Sequence, residues 1–253
     1  MIARILAIDA GNTRIKWGLH DGREWFLRGA VDTVDVAGSH AFREVWKAAA
    51  IERVVISNVA GPSVAKAIED QIHLLDKPVC FIAATARQCG VVNRYENPAQ
   101  LGSDRWAALI AAHADAQTPA AGGARAQLVV VSGTALTVDA LTADGHFLGG
   151  IIVPGLMLMH RALNRSTAQL PVTPGEYQTF PRSTANAISS GAVEACAGAV
   201  ARMYTHLSAQ AGDAPHCVGS GGSMHVLAPH LPFPVSINDN LVLDGLIAIA
   251  NAA

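Results

Sequence analysis

LAIDAGNTRIKWGL, residues 6–19, and LVVVSGTALTVDAL, residues 128–141, follow one pattern. Each is an apolar run, a short turn containing glycine and threonine, and a second run that alternates. An apolar run of this length reads as a buried strand, and the alternation beyond the turn as a second strand returning beside it. HDG at 20–22 and ADG at 143–145 supply the next turn of each copy, so each copy is a three-strand meander. Gly11 and Gly133 stand 122 residues apart, and Asp21 and Asp144 stand 123 apart. A near-constant offset between matching turns marks a diverged internal duplication.

Between and after the meanders, strands alternate with helical patterns, which implies crossover connections and an α/β fold. Phe42, Val45 and Trp46 suggest a helix at 40–50, RVVIS at 53–57 a buried strand, and Val64, Ile68, Ile72 and Leu75 a second helix. A strand follows at 79–83, then a helix at 103–116 with Trp106, Leu109, Ile110 and His113 on one face. QTPAAGGARAQ, residues 117–127, has the composition of a linker, and the expected domains are 1–116 and 128–253. In the second, residues 183–208 read as a long helix with small side chains at Ala185, Ala187, Ser189, Gly191, Ala195, Ala197 and Gly198, so another backbone can come close. A last helix is expected at 241–250.

The 253 residues are 51% hydrophobic and 15% charged, enough apolar material for two ordinary domains. A formal net charge of −2 leaves no electrostatic footprint for nucleic acid or an anionic membrane. No run reaches bilayer length and none resembles a secretory leader, so the expected place is the cytoplasm. The four cysteines form no CxxC pair and the histidines no HExxH, against a zinc site or disulfide framework.

DAGNT at 9–13 brings backbone N–H groups, a hydroxyl and a carboxylate into one bend. N–H groups and hydroxyls suit phosphate oxygens, and a carboxylate suits the Mg²⁺ that accompanies them. An Asx-turn, in which Asp9 merely satisfies the backbone, accounts for the isolated motif equally well. Ser132-Gly133-Thr134 repeats the turn in the second copy, and there is no GxxxxGK[ST] P-loop. In YENPAQLGSDRW, residues 95–106, Ser103 as N-cap would put Asp104 and Arg105 in the first helical turn, where an ionised carboxylate is favoured. Such an aspartate can take a proton from a substrate hydroxyl, and Arg105 can fix a carboxylate. Helix capping with a surface ion pair is the plainer alternative.

Taken in order, DAGNTRIK, YENP with LGSDR, SGTALTVD, GGIIVPG (149–155) and STANAISSG (183–191) resemble the signatures of the type III pantothenate kinases, within the acetate and sugar kinase, Hsp70 and actin superfamily. The resemblance implies two ribonuclease-H-like domains around a nucleotide cleft and a homodimer. It also implies ATP-dependent phosphorylation of pantothenate to 4′-phosphopantothenate, the first step of coenzyme A synthesis. On it, Asp9, Ala10, Gly11, Asn12, Thr13, Arg14, Ile15 and Lys16 bind ATP with Asp9 near Mg²⁺, and Thr134 contacts phosphate. Asp104 takes the position of the general base, while Tyr95, Gly102, Ser103, Arg105 and Thr184 join it in holding pantothenate.

One position departs. The family usually carries an acid two residues before the glycine of its second phosphate motif and is associated with K⁺ or NH₄⁺; this chain has Val131 there, the internal counterpart of Asp9. A valine offers no side-chain oxygen, so a monovalent cation would need other ligands; Asp139 lies at the far end of the next strand. The rival readings are a kinase of another small hydroxylated substrate and a non-catalytic accessory protein on the same fold.

Overall fold

An apolar run becomes a central strand when both faces of its sheet are covered, and β1 (Ile5–Ala10) is buried almost throughout. The computed structural model describes residues 4–36, 46, 50–118, 124–166 and 175–252. Of the helix expected at 40–50, only Trp46 and Ala50 are described; the rest lies outside the described residues, as does 119–123 of the expected linker. The chain divides into two compact units, Met1–Asp115 with Asn240–Ala253, and Ala116–Asp239.

In the first unit β1 pairs antiparallel with β2 (Arg14–His20), and β2 with β3 (Trp25–Asp32). On the other side β1 pairs parallel with β4 (Arg53–Asn58), and β4 with β5 (Val79–Phe81), giving the order β3-β2-β1-β4-β5. Between β4 and β5 runs α1 (Pro62–Ile72), entered through Gly61 at φ 94° with Pro62 at the first helical position. Leu6, Ile8, Ile15, Trp17, Ile56, Ile68 and Ile72 form the core on one face, with Trp46 edge-on to Trp17. Residues 87–92 form a small hairpin of β6 (Arg87–Gln88) and β7 (Val91–Asn93), its turn made by Cys89 and Gly90, both at positive φ. Helix α2 (Ser103–Ala116) follows, and Gln88 Oε1 accepts from its Trp106 indole N–H at 2.8 Å.

The second unit repeats the plan. β8 (Gln127–Ser132), β9 (Ala135–Leu141) and β10 (His146–Pro154) make the meander. β11 (His216–Ser220) and β12 (Val235–Ile237) add in parallel, so its own strands run β10-β9-β8-β11-β12. Its helices are α3 (Leu156–Ser166), α4 (Thr184–Ala211) and the short α5 (Met224–Leu227). Leu128, Val130, Leu136 and Val138 pack with Cys196, Ala197 and Val200 of α4. The small side chains of α4 admit the segment at 175–178. A Cβ on Gly175 would overlap the backbone at Ala185 and Asn186, and the Gly175 and Gln178 N–H groups donate to Ser189 and Ser190 hydroxyls at 2.8 and 2.9 Å.

The last helix, α6 (Leu241–Ala252), packs on β1 and β4. Chain order alone had grouped it with the second domain; its contacts group it with the first unit. Among the described residues no helix is long and apolar enough to cross a membrane.

Candidate functional site

Strand pairing puts the first site together. Asp9 is in register with Lys16 on β2 and with Ser57 on β4, and residues in register on neighbouring strands project to the same face. The turn between β1 and β2 closes by Gly11 N–H donating to the Arg14 carbonyl at 3.1 Å. Thr33 fixes it from the side, its hydroxyl donating to the Gly11 carbonyl at 2.7 Å and its N–H to the Thr13 carbonyl at 2.9 Å. Asn12, Thr13 and Arg14 are left exposed, whereas Ala10 and Ile15 are buried in the core and can offer a ligand only backbone atoms.

The second component is the start of α2. Its first intrahelical bond runs from Trp106 N–H to the Gly102 carbonyl, 3.0 Å, so Gly102 is the N-cap and not Ser103 as the sequence suggested. The Ser103 hydroxyl is free of capping duty and pairs with the buried Ser57 hydroxyl at 2.9 Å. Asp104 sits in the first turn, its Oδ1 accepting from the Arg105 N–H at 2.8 Å. A Cβ at 102 would stand 2.6 Å from that same Oδ1, so the glycine makes room for the carboxylate. Arg105 is only 6% exposed; its guanidinium donates to the Tyr95 hydroxyl at 3.1 Å and lies over that ring at 5.9 Å from its centre.

Electrostatics separates the two aspartates. Burial, reinforced by the Asp104 charge and opposed by Lys16, raises Asp9 to about 7, although the residue keeps one side open to solvent. Asp104 is also raised by burial, while the Arg105 N–H and charge pull it back. Asp104 therefore has a resident cation to favour its ionised form, and Asp9 is the carboxylate that a further cation would relieve. Among the described residues no three His, Cys, Asp or Glu side chains gather to hold a metal by themselves. Mg²⁺ does not need such a cage; it keeps waters, takes one or two carboxylates and completes its shell on phosphate. The Asp9 carboxylate fits that requirement.

The second unit has the corresponding turn without the corresponding charges. Gly133 N–H donates to the Ala135 carbonyl at 3.0 Å, closing one residue sooner than its counterpart. Val131 is in register with Thr137, where the first unit has Asp9 and Lys16. Two other glycines serve this turn. A Cβ on Gly155 would overlap the Gly133 carbonyl, and one on Gly221, at φ 95°, the Ser132 carbonyl. GGIIVPG and the 219–222 run thus act by close backbone approach. The Ser132 hydroxyl is buried and has no hydrogen-bond partner among the described residues. Thr134 is exposed at the tip, and Thr184 is exposed at the first position of α4, beside its N-cap Ser183. A cavity of about 360 Å³ lined by Arg125, Thr142, Asp144 and Asp213 lies at the opposite end of this sheet from the turn, and no residue of the five family signatures lines it.

Sequence reasoning missed Ser57. The only signal was its place at the end of RVVIS, where a polar residue closes an otherwise apolar strand.

Comparison with known proteins gives the family. Residues 5–206 match the family model for type III pantothenate kinase. The chain is 46% identical over 97% of its length to the type III pantothenate kinase of Nitrosospira multiformis, covering 90% of that protein. It is 47% identical to that of Aromatoleum aromaticum, covering 97% of each. Among solved structures, a glucokinase from an Antarctic psychrotroph superposes with a TM-score of 0.51 at 11% identity, over 99% of this chain and 100% of that one, a likeness of fold alone.

Proposed function

The chain belongs to the type III pantothenate kinase family, and we propose that in the ATP-dependent phosphorylation of pantothenate Asp104 accepts the proton of the attacking hydroxyl. The observation that carries this assignment is the contrast between the two aspartates. Burial raises both carboxyls, but Asp104 lies at a helix N-terminus beside Arg105, whose N–H and charge draw it back toward its ionised, basic form. Phosphoryl transfer asks little covalent chemistry of the protein; it needs positioning and neutralisation of charge. The pantothenate primary hydroxyl gives its proton to Asp104, its oxygen bonds to the γ-phosphorus, and the bond to the ADP oxygen breaks. Arg105, oriented by Tyr95, pairs with the pantothenate carboxylate, and Gly102 and Ser103 join it; the family resemblance assigns Thr184 to pantothenate as well.

Asp9 would hold Mg²⁺ or its bound water, and the ion supplies charge neutralisation on the phosphates. Residues 10–16 receive phosphate through the N–H groups and hydroxyls of the exposed turn and through Lys16. On the family resemblance Thr134, in the exposed turn two residues after the buried Ser132, contacts phosphate. We also infer a homodimer. Ile152, Met157, Leu158 and Leu163, on β10 and α3, expose 61, 50, 39 and 42% of their surface, a concentration of apolar residues that a second copy would cover. Cytoplasmic residence goes with these substrates.

The test is ADP release from ATP and Mg²⁺ with and without pantothenate. The expected result is pantothenate-dependent turnover that falls by about 10²- to 10⁴-fold in Asp104→Asn. A folded wild-type protein that ignores pantothenate but turns over with another hydroxylated compound overturns the substrate. Turnover with none supports an accessory role.

A further inference from the structure

Ser57, on the strand beside Asp9, and Ser103, in the helix bearing Asp104, are joined by a hydrogen bond between their hydroxyls. Ser57 is fully buried, sits in register with Asp9 and shares a hydrogen bond of 2.9 Å with the Ser103 hydroxyl. Ser103 immediately precedes Asp104, so its hydroxyl fixes the first turn of α2, where the carboxylate emerges. Helix ends fray unless they are held, and a helix N-terminus whose cap is a glycine has no side-chain cap of its own. The serine pair supplies the missing hold from outside the helix.

We propose that Ser57 is a positioning residue for the transfer: through the Ser103 hydroxyl it pins the first turn of α2 to β4 and so sets Asp104 relative to Asp9. The proposal rests on the assignment of Asp104 as base. Both hydroxyls are engaged with each other away from solvent, which leaves Ser103 to meet pantothenate through its backbone.

The experiment is steady-state kinetics on wild type, Ser57→Ala, Ser57→Thr and the double variant Ser57→Ala/Ser103→Ala, each with its thermal midpoint. A small displacement of a catalytic group is costly, so kcat should fall about tenfold or more in Ser57→Ala, with KM for ATP unchanged. Ser57→Thr, which keeps the hydroxyl, should recover most of the loss. The double variant removes both partners and leaves no orphaned group, so it is expected to fold even where the single variant does not. Its kcat should be as low as that of the single variant, because the two substitutions break the same bond. Wild-type kcat in the folded double variant overturns the proposal. So does an equal loss in Ser57→Thr and Ser57→Ala with unaltered melting. Failure of the wild type to phosphorylate pantothenate is a different outcome and removes the reading beneath it.

Discussion

Gly245 of α6 abuts Ala107 of α2 so closely that a Cβ at 245 would overlap the Ala107 carbonyl oxygen. Ala107 lies just beyond the first turn of the helix that carries Asp104, so this contact sets how deeply the helix seats. Gly245→Ala must push the two helices apart, at a cost of about 1–3 kcal/mol, as overpacking in a filled core generally costs. For a chain of this size that is a fall in thermal midpoint of about 2–4 °C per kcal/mol, measurable by calorimetry. An unshifted midpoint would mean that the helices are not in contact there.

Asp9 predicts an inverse dependence of stability on pH. Its carboxyl is raised from 3.8 to about 7, chiefly by burial. The native protein therefore keeps this proton after the unfolded chain has released it, and stability contributed by the neutral form is lost as pH rises from about 4 to about 7. Asp9→Asn cannot ionise and escapes the loss. Without nucleotide or metal, the variant should melt above wild type at pH 8, with the gap closing as pH falls toward 4. It should also be inactive. A gap that does not change with pH would rule out the assignment.

Arg105→Lys tests geometry at constant charge. The guanidinium donates to the Tyr95 hydroxyl and stacks over its ring, and a lysine can keep the charge but not the planar fork. KM for pantothenate should rise about tenfold or more, as expected for loss of a charge-assisted hydrogen bond, with KM for ATP unmoved. Equal changes in both constants would place Arg105 outside the pantothenate pocket.

Val131 stands where the first unit has Asp9, with Thr137 across from it in place of Lys16. No side-chain oxygen at 131 can hold K⁺, so replacing K⁺ by Na⁺ at fixed ionic strength should leave kcat unchanged. Strong activation by K⁺ would require a different set of oxygens, and Asp139, buried on β9, would be the first to mutate.

The meanders were legible in the sequence because apolar runs, turn residues and alternation mark each strand, whereas the register that sets Asp9 against Lys16 emerged only from the strand pairing. The place of Asp104 and Arg105 in the first helical turn was legible because a polar cluster opens an apolar helical pattern, although the same cluster reads as plainly as a helix cap with an ion pair. Ser57 was not, because its partner is 46 residues away and two neutral hydroxyls leave no charge pattern. The cap was misplaced by one residue for a related reason: serine is the better N-cap by type, but tertiary pairing took its hydroxyl and left the post to Gly102. The hairpin at 87–92 escaped notice because strands so short show no periodicity. Helix α3 did so because Met157, Leu158 and Leu163 are exposed and blur its apolar stripe.

The unequal turns of the two copies bear on how such a protein could arise. A duplicated gene starts with two interchangeable halves, each with the same turn. Here one half keeps an acid and a base facing each other across a four-residue bend, and the other has a valine and a threonine beside a tighter one. That asymmetry gives the ancestral repeat a head and a tail. Val131→Asp with Thr137→Lys would give both turns the same pair of charged side chains and make the halves alike at that place.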